Sequence, residues 1–282
     1  MLSFMDPKSD TGFKKLFGNK DHADIIKSFL NTVLKRTGKD AIQDISFAET
    51  ENLRHPIEGK QTLLDMHAID GHGHHYLVEM QNKYQKFYIE RTQYYSSFVF
   101  SEQLNPNLYF DKLLPVISIS VLNHIFFHDH TDVISNHTLM DMKHKTITSM
   151  FQTFHYIELP KFKKTIEECV TLEDKWLFFM QQAETCRTIP EQISQTKELV
   201  TAFKLLERMS WTHADMADYI REQDSAGYER RVIEGVIEQA TKQEKEAIAI
   251  NLLKMNMENH FIVQVTGLSI QQIDKLRTKI LQ

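Results

Sequence analysis

A hairpin signature does most to limit what this chain can fold into. Residues 62–69 and 75–81 are strand-length runs rich in apolar side chains, and the run DGHGH at 70–74 joins them with two glycines. Polar side chains nonetheless interrupt both runs: Asp65 in the first, Glu79 and Gln81 in the second. Successive strand residues face opposite ways, so Glu79 and Gln81 share a face. Whether Asp65 joins them is a matter of register. A tight turn at Asp70 and Gly71 would pair Ile69 with His72 and send Asp65 to the other face. A loop running from Asp70 to His74 pairs Ile69 with His75 and sets Asp65 directly opposite Glu79. The second arrangement, or a bulge with the same effect, is expected, with a cation between the two carboxylates to relieve their repulsion. A hard ion such as Mg²⁺ suits that pair, because it takes one or two protein carboxylates together with waters and phosphate oxygens. Phosphodiester hydrolysis is the chemistry such a site would perform. The other reading leaves Asp65 and Glu79 in solvent on the open face of an antiparallel sheet, and spacing alone does not separate the two.

The rest of the pattern alternates between helix and strand. Residues 21–35 carry Ile25, Ile26, Phe29, Leu30, Val33 and Leu34 at helical spacing, preceded at 10–17 by a short amphipathic turn with Phe13, Leu16 and Phe17. Ile42, Ile45 and Phe47 suggest a strand. Residues 84–104 place Phe87, Tyr88, Arg91, Tyr94, Tyr95, Phe98 and Val99 at helical spacing, and NPN at 105–107 stops that helix. Residues 114–122 and 151–159 read as strands, which makes the chain α/β. Beyond residue 160 the pattern is helical, over 172–185, 191–208, 213–223 and 230–257. The charged stretch 230–257 suits a dimerising helix as well as one packed on its own domain. Residues 261–282 offer a helix capped by Ser269 with Gln272 at the capping-box position, either the second helix of a helix-turn-helix or a plain docking helix. The expected organisation is a core over 1–160, a helical region over 161–258 and a small helical segment over 259–282.

Composition narrows the function classes. Of the 282 residues 41% are hydrophobic and 25% charged, which excludes a disordered or collagenous chain. No run approaches the roughly 18 apolar residues of a bilayer span, so no membrane partner is expected. Cys169 and Cys186 form no CxxC pair, and residues 1–24 are studded with charge; a cytoplasmic protein without thiolate zinc is expected. A net charge of −5 argues against coating nucleic acid by bulk charge, yet leaves room for a local basic strip.

Taken in order, DPKSDTGFKKLFG at 6–18, the Asp65 strand, VEMQ at 78–81, RTQYY at 91–95 and TGLS at 266–269 resemble the recombination-promoting nuclease (Rpn-like) transposase family of the PD-(D/E)XK superfamily. The resemblance implies a restriction-endonuclease-like core, a mixed sheet flanked by helices, with an α-helical C-terminal region. It also implies a Mg²⁺-dependent DNA endonuclease, with Mn²⁺ as a substitute, linked to recombination or mobile elements. On this resemblance Asp65 is the metal-binding aspartate, Glu79 the second metal ligand, and Gln81 the occupant of the superfamily's lysine position. Glutamine orients a water or hydrogen-bonds a phosphate, but brings neither the charge nor the titratable amine of lysine. Lys60 and Lys14 are candidates for that charge, against the ordinary reading of each as a solvated lysine. Asp10 is either a third acidic group near the metal or the cap of the turn it precedes. Arg91 would hold a phosphate, while Tyr94 and Tyr95 would stack on DNA or, as their helical spacing favours, pack in the core. A different function class stays open: a nuclease fold that no longer cuts and serves as a DNA-binding or protein-interaction module.

Overall fold

The computed structural model describes residues 4–48, 65–104 and 109–280. Ser9 starts α1 (Asp10–Phe17): its Oγ accepts the Gly12 N–H at 2.9 Å, and Phe13, Leu16 and Phe17 face inward. Asp10 is therefore the first residue of the helix rather than its cap. α2 (Ala23–Val33) buries Ile25, Ile26, Phe29, Leu30 and Val33, the stripe its spacing predicts. β1 (Ile45–Phe47) precedes the hairpin of β2 (Met66–Asp70) and β3 (His75–Gln81). α3 (Tyr88–Glu102) then crosses back so that β4 (Val116–Leu122) runs parallel to β3. Every residue of β4 is buried, which accounts for a strand made of Val, Ile and Leu with only Ser118 and Ser120 between them.

Two further strands complete the sheet. The strand expected at 151–159 is the second half of β6 (Thr146–Glu158), and its antiparallel partner β5 (Ile134–Asp141) was not foreseen. Register shifts around Leu139 break the alternation that would have marked β5. Its turn also lacks glycine: Lys145 takes the left-handed conformation at φ 56°, while Asp141 Oδ1 accepts the N–H groups of Lys143 and His144. The strand order is β1-β2-β3-β4-β6-β5, with β3, β4 and β6 mutually parallel and the remaining pairs antiparallel. This is the mixed, helix-flanked sheet that the resemblance implies.

The two faces of the sheet differ. Met66, Ala68, Tyr76, Val78, Ile117 and Ile119 meet α1, α2, α4 (Leu172–Gln182) and α5 (Lys197–Leu205) in the principal core. Aromatic rings fill its centre, with Phe17–Phe29 and Phe29–Trp176 centroids 5.0 and 5.6 Å apart. The opposite face lies under α3, whose buried stripe is Tyr88, Thr92, Ser96 and Val99. That stripe corrects the expectation for the tyrosines: Tyr94 is 45% exposed and Tyr95 is half-buried beside Leu77, Val99 and Val116. Small hydroxyl side chains, invisible to a hydrophobic pattern, occupy the inward positions instead.

The compact unit holding the sheet is Met1–Tyr219, and Ile220–Gln282 forms a second. The expected helices at 213–223 and 230–257 are one helix, α6 (His213–Lys254), because the intervening Gly227 costs only about 1 kcal/mol in a helix of this length. α7 (Asn259–Thr266) and α8 (Ile270–Ile280) follow. Among the described residues no helix is long and apolar enough to cross a membrane.

Beneath α3, His67 and His75 stack at 5.1 Å between ring centroids, with His67 Nε2 2.9 Å from His75 Nδ1. Burial, aided by the neighbouring His75, pushes the His67 pKa down to about 4. An unfolded histidine titrates near 6.5, so the folded state binds fewer protons between those values. The resulting stability is whole above about pH 6.5 and lost as pH falls through about 4, by about 3 kcal/mol for His67 alone. Urea midpoints measured across that range should fall steeply, and His67→Leu should flatten the slope; an unchanged slope would show that His67 does not drive it.

Candidate active site

The hairpin turn fixes the register of everything near Asp65. Asp70 Oδ1 accepts the N–H groups of His72 and His74, both at 2.9 Å, and Oδ2 accepts the Tyr76 hydroxyl at 2.8 Å. Burial raises the Asp70 pKa, but these hydrogen bonds outweigh it and hold the carboxyl below its ordinary value. Gly73 closes the turn at φ 83°, where a Cβ would also lie 2.5 Å from Leu114. The result pairs Ile69 with His75 and Met66 with Val78, the register expected of a loop running from Asp70 to His74. Continued by one residue, this ladder sets Asp65 opposite Glu79.

The carboxylates come together with a cation. Asp65 lies just before β2, and its Oδ2 accepts the Met80 N–H at 2.8 Å. Glu79 is 6% exposed; its Oε2 accepts from the Tyr88 hydroxyl at 3.2 Å and from Arg91 Nη2 at 3.3 Å. The same Arg91 Nη2 donates to Gln81 Oε1 at 2.9 Å, while Gln81 Nε2 donates to the Lys83 carbonyl at 2.9 Å. Arg91 is held in turn by Gln85 and lies over the Tyr88 ring, 4.9 Å from its centroid. Burial raises the Asp65 pKa, against the Met80 hydrogen bond and with help from Asp10. Burial pushes Glu79 up to about 7; Arg91 opposes the rise and Asp65 adds to it.

The remaining expected residues sit at different distances from this centre. Asp10 and Lys14, both on α1, are close enough to shift the Asp65 titration in opposite directions. Asp10 completes no cluster of three acidic or imidazole ligands, since no such metal-holding group occurs among the described residues. Lys60 and the beginning of the expected strand at 62–64 lie outside the described residues. Tyr88 was missed as a site residue, although it sits one helical turn before Arg91 on the same side of α3.

What the site offers a metal is a pair of carboxylates, with Glu79 Oε1 buried and without a hydrogen-bond partner. An unsatisfied buried carboxylate oxygen is costly unless something positive meets it. Oxygen donors of this number fit a hard ion that keeps waters and phosphate oxygens in its shell, and do not fit a resident zinc or copper.

A sequence profile of the family described as PD-(D/E)XK nuclease family transposase matches residues 7–235. No curated protein and no solved structure matches.

Proposed function

The chain belongs to the PD-(D/E)XK nuclease family transposases, and on that premise we propose that it cleaves DNA phosphodiesters with a divalent cation held by Asp65 and Glu79. The observation that carries this reading is the buried, unpaired Glu79 Oε1 beside a second carboxylate. A bound Mg²⁺ or Mn²⁺ ion would supply Lewis acidity at the scissile phosphate. Glu79 must be ionised to hold it, so ion affinity should climb as pH rises through about 7. Gln81 orients a water or a phosphate oxygen, and Arg91 brings the positive charge that Gln81 lacks. Asp10 and Lys14 would tune Asp65 from α1, with Lys14 available to a phosphate.

The connection from β3 to α3 suits a nucleic acid. Tyr84 and Phe87 are each 63% exposed, and the Lys86 ammonium lies 5.0 Å from the Phe87 ring centroid. Exposed aromatics beside cations give bases a stacking surface and phosphates a counter-charge. Recombination or movement of a mobile element is the setting in which this cleavage would serve, with a second copy of the chain making the paired cut.

Arg91 already pairs with Glu79, which favours one alternative: a nuclease fold that binds DNA without cutting. Nicking of supercoiled plasmid by the purified protein with Mg²⁺, Mn²⁺ or EDTA decides between them. Metal-dependent nicking is expected, together with a rise in thermal midpoint when Mn²⁺ is added. Neither nicking nor metal stabilisation would leave the binding module.

A further inference from the structure

The family match ends at residue 235, inside the second compact unit, Ile220–Gln282, which the proposed site does not use. α7 is two turns long and stops at Gly267, which takes the left-handed conformation at φ 67°. Leu268 is buried, and Ser269 caps α8: its N–H donates to Gln272 Oε1 at 2.8 Å while its Oγ accepts the Gln272 N–H at 3.3 Å. Ile262, Leu268, Ile273 and Leu276 join Ala249 and Leu253 of α6 in a core of their own. Asn259 ties the two short helices together, donating to Asp274 Oδ1 at 2.9 Å and accepting from Arg277. Two helices, a three-residue turn with a left-handed glycine, and a second helix with one face buried are the parts of a helix-turn-helix.

The outward face of α8 has the chemistry of a DNA reader. Gln271 and Lys275 are exposed one turn apart in its N-terminal half, the part that a second helix presents to base edges. Glutamine matches adenine in the major groove, and Ile270, 57% exposed beside it, matches a thymine methyl. Residues 259–282 carry Lys275, Arg277 and Lys279 against Asp274, in a chain whose net charge is −5. This local excess of cations complements a phosphate backbone. We infer that residues 259–280 form a helix-turn-helix that lays α8 in the major groove of duplex DNA and directs the nuclease to chosen sequences. The inference rests on the DNA reading of the nuclease unit only for its partner, not for its geometry.

Selection of the full-length protein on randomised duplexes in EDTA, followed by binding to the selected and a scrambled duplex, tests it. A short motif should emerge. Gln271→Ala should lower the selected-to-scrambled affinity ratio by about tenfold, while Lys275→Ala should weaken both duplexes alike and reduce the salt slope by about one. Absence of a motif, or wild-type binding by both variants, would overturn the inference. So would a change in sedimentation without a change in DNA preference, which would assign the face to a second copy of the chain. Because EDTA silences metal-dependent cutting, a motif obtained from a protein that never nicks would sink the nuclease proposal alone.

Discussion

Glu79→Gln and Asp65→Asn should each cut metal-dependent plasmid nicking by about 10³-fold or more, yet each should raise the thermal midpoint of the metal-free protein at pH 8. The loss follows from removing a ligand worth several kcal/mol of transition-state charge stabilisation, at 1.36 kcal/mol for each factor of ten. The gain follows from linkage. Burial raises the pKa of both carboxyls, that of Glu79 to about 7 from an ordinary 4.5. Between those values the folded state holds a proton that the unfolded state has released. The stabilising contribution of Glu79 is therefore whole below about pH 4.5 and lost as pH rises through about 7, by about 3 kcal/mol. Glutamine keeps the shape and never ionises, so at pH 8 that loss disappears, offset in part because Arg91 and Tyr88 lose a charged partner. Nicking and melting of the same preparations check both halves. Wild-type nicking in the variants would take the pair out of the chemistry, and a lower midpoint at pH 8 would refute the account of a buried charge that Arg91 compensates only in part.

The same carboxylates show how far the sequence could be read. The register that sets Asp65 opposite Glu79 was legible because a period-two pattern leaves only two choices, and a run with two glycines allows the longer loop. The device that enforces it, Asp70 stapling the turn and Tyr76, was not legible, since a turn aspartate looks the same whether or not it is buried. α2 was readable from five large apolar residues on one stripe, whereas α3 misled because Thr92 and Ser96 occupy its inward face. β5 escaped for want of alternation or a turn glycine. In the site, Glu79 and Gln81 share a face by parity alone, but their meeting with Arg91 depends on where α3 lands after the crossover. No local pattern encodes that landing: Arg91 follows Gln81 by ten positions through a loop. Lys14 and Lys60 are accordingly the cations the sequence offers in place of the missing lysine, while the guanidinium beside Gln81 comes from the helix that follows it.

Arg91→Met should slow nicking by about 10²-fold at saturating metal, and adding Gln81→Lys should restore at least about tenfold of it. The first effect is that of removing one cation aimed at developing phosphate charge in a partly buried site. Methionine keeps much of the packing over Tyr88 while deleting the charge. Without Arg91 the Glu79 carboxyl protonates more readily, so metal affinity should fall too, and a full metal titration separates that change from the loss in maximal rate. The rescue isolates the electrostatic role. A lysine at residue 81 starts from the strand position that Arg91 now reaches by its side chain, so it returns a positive charge to the same place by the superfamily's own route. If Arg91 served only to neutralise Glu79 and pin α3, the double variant would recover thermal stability without recovering rate. If Arg91 faces the phosphate, rate should recover at saturating metal even where the guanidinium's fixed fork, and the stability it lends to Gln81, does not return.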